Sequence, residues 1–309
     1  MKTVIINICI NFLIVGIFST QAISQNRKSN QNYPAVTLEG TEIRTLPSNI
    51  VGQDYELLVS LPKSYHSTDS DYPVIFLLDP YRTYSIVKGF TDILITPHSL
   101  IPEVIIVGIG YGGKSNEALL KWVLGRTRDL TPAKDSITEA DLERRIISSG
   151  VPNVEVNTGG AELFLNFIEA ELLPFIESNY RIDGSQKMLC GYSFGGLFGL
   201  YTLFNNPDLF SKYLIGSPSI HYKEGIIYDY ESEYAKKYND MNADVFISAG
   251  ELEELTSNNI KKVEGLLRSR NYNSLKLKTV IFKDESHVTC IPAALGRGIY
   301  ELLHQESKH

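Results

Sequence analysis

Gly191-Tyr192-Ser193-Phe194-Gly195-Gly196 sets one hydroxyl among small residues, the pattern of a strand turning sharply into a helix around a nucleophile. Ser185–Cys190 ahead of it ends in apolar residues suited to a buried strand. Leu197–Phe204 after it has the length and apolar character of a buried helix. Glycine relieves the crowding of such a turn, and the helix N-terminus behind Ser193 favours negative charge. A serine hydroxyl is a weak nucleophile until an imidazole takes its proton. Further along, Val245–Ala249 ends at Gly250 and is followed by Glu251, Glu253 and Glu254, while Leu275–Phe282 is followed by Lys283-Asp284-Glu285-Ser286-His287. Serine, acid and histidine in this order, each just past a strand, point to acyl chemistry with nucleophile, orienting carboxylate and general base. Ser193 is the candidate nucleophile and His287 the candidate base. Glu253 is the favoured acid, because a residue three past Gly250 can turn back toward the histidine. Glu251 is the alternative acid, and Asp284 and Glu285 precede the histidine too closely.

Attack on an ester also needs donors aimed at the developing oxyanion. The Phe194 backbone N–H is one candidate. A second comes from Asp79-Pro80-Tyr81-Arg82, after the apolar Phe76-Leu77-Leu78. Pro80 has no amide hydrogen, so Tyr81 or Arg82 must donate, and Tyr81 is the first available. Asp79 is read as holding that turn. Tyr192, Phe194 and Tyr222 are candidates for an acyl- or aryl-binding surface, with core packing the competing role for each. Arg126 and Arg128 either meet an anionic substrate or pair with Asp129 and nearby acids. No His-x-x-x-His or close cysteine pair suggests a metal. Gly108-Ile109-Gly110-Tyr111-Gly112-Gly113 misses the dinucleotide spacing, and the chain after it does not read as a clean helix. No cofactor is expected.

The elements that must position these groups alternate. Residues 52–62, with Tyr55, Leu57, Val59 and Leu61 alternating, read as a half-buried edge strand. Pro73–Leu78 and Val104–Ile109 are short continuous apolar runs, as in parallel strands buried on both faces. Phe164–Tyr180 reads as an amphipathic helix with Pro174 as a kink. Lys212–Ile215 is a further strand, and Ile260–Asn271 and Ala293–Leu303 are helices. The segment from Gly112 to Gly160 carries many charges and few compact apolar runs. It predicts a loop-rich insertion over the active-site end. The order of elements supports a three-layer α/β domain with a mostly parallel central sheet.

The 309 residues suffice for one large domain. Met1-Lys2 followed by the apolar Val4–Phe18 and the small, polar Ser19–Gln25 predicts a cleaved export signal over 1–24. Its short apolar stretch, interrupted by Asn7 and Asn11, argues against a stable membrane span. The expected location is the periplasm or the exterior. Residues 25–50 read as an N-terminal extension or edge segment, and 51–305 as the catalytic domain. The net charge of −7 argues against nucleic acid as a partner, since phosphate attraction needs local positive charge. Cys190 and Cys290 remain after cleavage, too few for a disulfide framework. Free buried thiols are favoured over one bridge.

The runs Tyr72–Asp79, Val104–Tyr111, Arg126–Pro132, Gly159–Tyr180, Gly191–Phe198, Gly216–Ile220, Ile247–Glu254 and Asp284–Pro292 together resemble an esterase branch of the α/β-hydrolases. That branch includes enterochelin and related siderophore esterases, and is similar to esterase D-like proteins and exported feruloyl or acetyl-xylan esterases. The resemblance runs from about Tyr55 to Leu303. It implies an α/β-hydrolase fold, Ser193 as nucleophile, His287 as base, an acid within Gly250–Glu253, and no cofactor. The branch often has GHSFGG where this chain has Gly191-Tyr192-Ser193-Phe194-Gly195-Gly196. The implied reaction is hydrolysis of a small-molecule, siderophore or carbohydrate-linked ester through an acyl-enzyme. Transfer to an alcohol, or ligand binding without catalysis, are the alternatives.

Overall fold

The computed structural model describes residues 36–304 except Lys114. The expected signal over 1–24 lies outside the described residues. Eight strands form one sheet: β1 (Thr41–Ser48), β2 (Gln53–Ser60), β3 (Tyr72–Leu78), β4 (Ile105–Gly110), β5 (Ile182–Tyr192), β6 (Lys212–Gly216), β7 (Ala243–Gly250) and β8 (Leu275–Phe282). Their order is β1-β2-β4-β3-β5-β6-β7-β8. The first two pairings, β1 with β2 and β2 with β4, are antiparallel, and all later ones are parallel. The strand read as an edge from its alternation is therefore interior. β1 is the edge, and Tyr55, Leu57 and Val59 of β2 are fully buried.

The apolar runs become strands covered on both faces. Val74, Phe76 and Leu78 of β3 enter one core, while Ile75 and Leu77 enter the other. Period-two geometry sends successive side chains to opposite faces, so a run without polar interruptions needs a helical layer on each side. One layer holds helix α1 (Pro80–Ile95), whose Tyr84, Val87 and Leu94 share a core with Leu295, Ile299 and Leu303 near the chain end. The other layer includes Leu197, Phe198 and Leu200, which pack with Phe164, Phe167 and Ile176.

Two helices occupy much of 112–160, where the sequence reads as loop-rich; 130–135 and 149–160 are not helical. Helix α2 (Ser115–Asp129) follows β4 directly, with Ala118, Trp122 and Val123 turned inward. A separate compact unit, 136–156, carries helix α3 (Ser136–Ser148). Within it Arg144 and Arg145 both bond Asp141, one turn away. Such i,i+3 and i,i+4 pairs support a charged helix, which is why charge density alone misreads this segment.

The long amphipathic helix has three parts: α4 (Ala161–Phe167), a wide turn (Ile168–Leu172) and α5 (Leu173–Asn179). The widened turn lies just ahead of Pro174, which brings no N–H to the helical ladder. Helix α6 (Phe194–Asn205) is buried from Gly195 to Phe204. Helices α7 (Ile227–Lys237), α8 (Glu254–Ser269) and α9 (Cys290–Leu303) follow it. The chain passes from β3 to β4 on one side, then returns to place β5 on β3's other side. Crevices at such a reversal, beyond the strand C-termini, are where open α/β sheets bind ligands. Asp79-Pro80-Tyr81 and Ser193 lie on its two flanks.

Candidate active site

Ser193 joins β5 to α6 with φ 60° and ψ −115°, a conformation that a non-glycine residue keeps only when its surroundings enforce it. Two close approaches do so. A Cβ at Gly191 would lie 2.3 Å from the Gly195 carbonyl oxygen, and one at Gly196 would lie 2.7 Å from that of Gly216. Gly195, the second glycine of the Gly-x-Ser-x-Gly motif, has ordinary van der Waals room. The turn is also bonded on both sides. Ser193 N–H donates to Gly216 O at 2.9 Å, and its own carbonyl accepts from Leu197 and Ser219 N–H at 2.9 and 3.2 Å.

The acid and base come from the ends of β7 and β8. Glu253 Oε2 lies 2.6 Å from His287 Nδ1. Its other oxygen, Oε1, accepts the Gly250 N–H at 2.9 Å and the Ser217 hydroxyl at 2.7 Å. Burial raises the Glu253 pKa, but His287, the Gly250 N–H and Ser217 outweigh it, and the carboxyl sits below its ordinary value. An ionised Glu253 makes Nδ1 the protonated nitrogen and leaves Nε2 as the acceptor. Glu251 does something else: it accepts the Asp284 N–H at 3.0 Å, bracing the turn after β8. It is therefore not the acid at the histidine. That turn lies so close that a Cβ at Gly250 would meet the Glu285 carbonyl oxygen at 2.2 Å.

Tyr192 ties this pair to the nucleophile's turn. Its hydroxyl donates to the His287 carbonyl at 2.7 Å, and its ring centroid is 5.2 Å from the imidazole. Ser217 Oγ is also 2.7 Å from Tyr192 Oη. The structure draws no hydrogen bond between Ser193 Oγ and the imidazole. Such bonds are often loose without substrate and tighten in the reacting complex. Ser217 falls within the Gly216–Ile220 run, and the sequence alone gives it no role. Its signal was a polar residue just past β6, the strand beside the nucleophile's own.

The residues read as substrate contacts have other employment. Tyr192 is 6 % exposed and holds His287, as described. Tyr222 is 4 % exposed, its hydroxyl donating to Ala133 O at 2.7 Å. Arg126 is 7 % exposed and pairs with Asp79, with both nitrogen–oxygen distances at 2.9 Å. Arg128 Nε donates to the fully buried Asp129 at 2.6 Å, as the pairing alternative expected. Each correction has one cause: a polar tip that looks free in the sequence finds a partner within the protein, far along the chain or beside it. Tyr81 is half exposed and second in α1, among the first-turn N–H groups that have no helical acceptor. Phe194 holds the first position in α6. Cys190 and Cys290 are free and buried.

A family profile described as "Putative esterase" matches residues 48–149 and 144–288. The chain is 31 % identical over 284 residues to "Ferri-bacillibactin esterase BesA" of Bacillus subtilis, covering 89 % of this chain and 93 % of that protein. It is 32 % identical over 210 residues to "Siderophore triacetylfusarinine C esterase" of Aspergillus fumigatus, covering 66 % and 65 %. Among solved structures, the BES protein from Bacillus cereus superposes with a TM-score of 0.75 at 27 % identity, covering 90 % of this chain and 100 % of that one. Because the profile spans most of the chain and a relative 31 % identical is matched over 93 % of its length, the chain belongs to this esterase family and is a serine esterase.

Proposed function

We propose that Ser193, His287 and Glu253 carry out the hydrolysis and that the ester is part of a siderophore. The observation that carries the catalytic assignment is the 2.6 Å contact between Glu253 and His287 Nδ1, anchored through Tyr192 to the turn that bears Ser193. Ser193 Oγ attacks the ester carbonyl carbon as His287 Nε2 takes its proton. The carbonyl electrons move onto oxygen, which the Phe194 and Tyr81 N–H groups receive. The C–O bond then breaks, and Nε2 returns the proton to the departing alcohol. Water repeats the sequence on the acyl-enzyme and frees the acid. Glu253 keeps the ring in the productive tautomer and stabilises its charged form.

The substrate class rests on relatives. The Bacillus subtilis and Aspergillus fumigatus proteins are named for hydrolysing bacillibactin and triacetylfusarinine C, two siderophores. An apolar leader with a small, polar end at residues 1–24 supports an exported enzyme. Among the described residues, no helix is long and apolar enough to cross a membrane. The test is a panel of esters: a catecholate trilactone and a hydroxamate ester, each iron-loaded and iron-free, beside feruloyl and acetyl-sugar esters. Products are separated by chromatography, with Ser193→Ala as the blank. Highest kcat/KM on a siderophore ester supports the assignment; a clear preference for feruloyl or acetyl esters overturns it.

A further inference from the structure

The sequence left Asp79 as a turn residue and Arg126 as a candidate substrate contact, and the structure joins them in one buried cluster. Asp79 precedes α1 with φ 54° and ψ 44° and does not cap that helix with its side chain. Its carboxylate instead accepts Arg126 Nε and Nη2 at 2.9 Å each, and Trp122 Nε1 at 2.8 Å. All three residues are less than a tenth exposed. The same guanidinium lies 5.1 Å from the Phe194 ring centroid and 5.1 Å from that of Trp122. Trp122 in turn stacks on Tyr81, with centroids 5.7 Å apart.

We propose that Arg126 is a positioning residue that clamps together the two backbone segments supplying the oxyanion donors. This inference rests on the hydrolytic reading above. One guanidinium is bonded to the residue just before Pro80-Tyr81 and stacked on Phe194, so both donor-bearing residues are held by groups from one face of α2. The segments also approach each other directly: a Cβ at Gly195 would be 3.6 Å from Asp79 Oδ2. Stability alone gives a weak reason for this arrangement. A buried ion pair is often matched or bettered by apolar residues of similar volume, and Asp79 keeps a left-handed backbone besides. What the pair supplies is direction. Bidentate guanidinium–carboxylate geometry fixes angle as well as distance, and displacing a reacting group by about 1 Å costs about 100-fold in rate. The guanidinium charge is matched by Asp79 and touches the ring of Phe194, so Arg126 acts through the donors.

The double variant Asp79→Leu/Arg126→Met removes both buried charges and leaves neither partner stranded. On a p-nitrophenyl ester, it should lower kcat about 30- to 100-fold with KM within threefold of wild type. The inhibition constant of an aryl boronic acid, which mimics the tetrahedral intermediate, should rise by a similar factor. Arg126→Lys, keeping one charged donor, should fall between the two. A folded double variant with kcat within threefold of wild type, or with kcat lowered and boronate affinity unchanged, overturns the clamp. If the double variant does not fold, Trp122→Phe removes one donor to Asp79 and should lower kcat about threefold or more at constant KM; an unchanged kcat overturns the proposal. Ser193→Ala separates the two readings. Wild type no faster than that blank sinks the hydrolytic assignment, whereas clamp variants with undiminished rates above it sink the clamp alone.

Discussion

Replacing Glu253 with glutamine tests the acid assignment through its hydrogen-bond directions. The native carboxylate accepts on both oxygens: Oε2 faces His287 Nδ1 at 2.6 Å, and Oε1 receives Gly250 N–H and the Ser217 hydroxyl. An amide can keep only one of these oxygens. If its NH2 takes the Oε1 position, it confronts the Gly250 N–H, donor against donor, and no charge remains to stabilise the imidazolium. If it takes the Oε2 position, it donates to Nδ1 and drives the ring proton to Nε2, the nitrogen that must accept from Ser193. The first orientation weakens the base and the second blocks it, and neither changes the volume. The expected fall in kcat is about 10³- to 10⁴-fold, or about 4–5.5 kcal/mol of barrier. KM should stay within threefold, because the carboxylate has no place in holding substrate. Glu251→Gln is the paired control: its side-chain hydrogen bond, accepting the Asp284 N–H at 3.0 Å, survives in an amide, so kcat should stay within about twofold. Steady-state hydrolysis of a p-nitrophenyl ester reads both. Equal losses in the two variants, or more than a tenth of wild-type kcat in Glu253→Gln, would refute the assignment.

Ser217→Ala removes one of two hydrogen bonds to Glu253 Oε1, at a position where Ser217 itself is 1 % exposed. A charge-assisted bond contributes about 1.5–3 kcal/mol, so kcat should fall about 10- to 150-fold with KM steady; no change in kcat would show that Gly250 N–H alone suffices. Glu253 also links pH to stability. Its folded pKa lies below the ordinary 4.5, so the stabilisation from its ionised form is present above that value and disappears as pH falls through the folded pKa. The stability difference between wild type and Glu253→Gln, measured by urea melts, should shrink on acidification from pH 6 to 3; a constant or growing difference contradicts the sign. Burial pushes the Cys190 and Cys290 thiols up to about 12. A disulfide thiol reagent at pH 8 should therefore label neither in the native protein and both in urea; rapid native labelling would show the sites to be open.

The parts of this protein legible in its sequence are those specified within a few residues. Leu275–Phe282 alternates and proves to be β8 with the same bounds. The continuous apolar runs proved to be parallel strands with helices on both faces, and the Gly-Tyr-Ser-Phe-Gly-Gly turn announced a strand–helix junction. Identities settled by distant contacts were not legible. β2 looks like an edge because β1, with Pro47 and the charged Glu42 and Arg44, looks like a polar extension. Tyr192, Tyr222 and Arg126 carry polar tips that suggest a substrate surface, yet their partners are His287, Ala133 and Asp79. Ser217 shows only its place just past β6; its role was not legible, since the parallel pairing of β6 with β7 is what brings it to Glu253.

The order of the strands has one more consequence. His287 follows β8, which closes the sheet with a neighbour on one side only, whereas Ser193 follows β5, flanked by β3 and β6. Peripheral strands open with less free energy than central ones. Fraying at that rim would strip away the proton acceptor while the nucleophile's scaffold stays intact, so inactivation on warming should run ahead of the loss of ordered secondary structure.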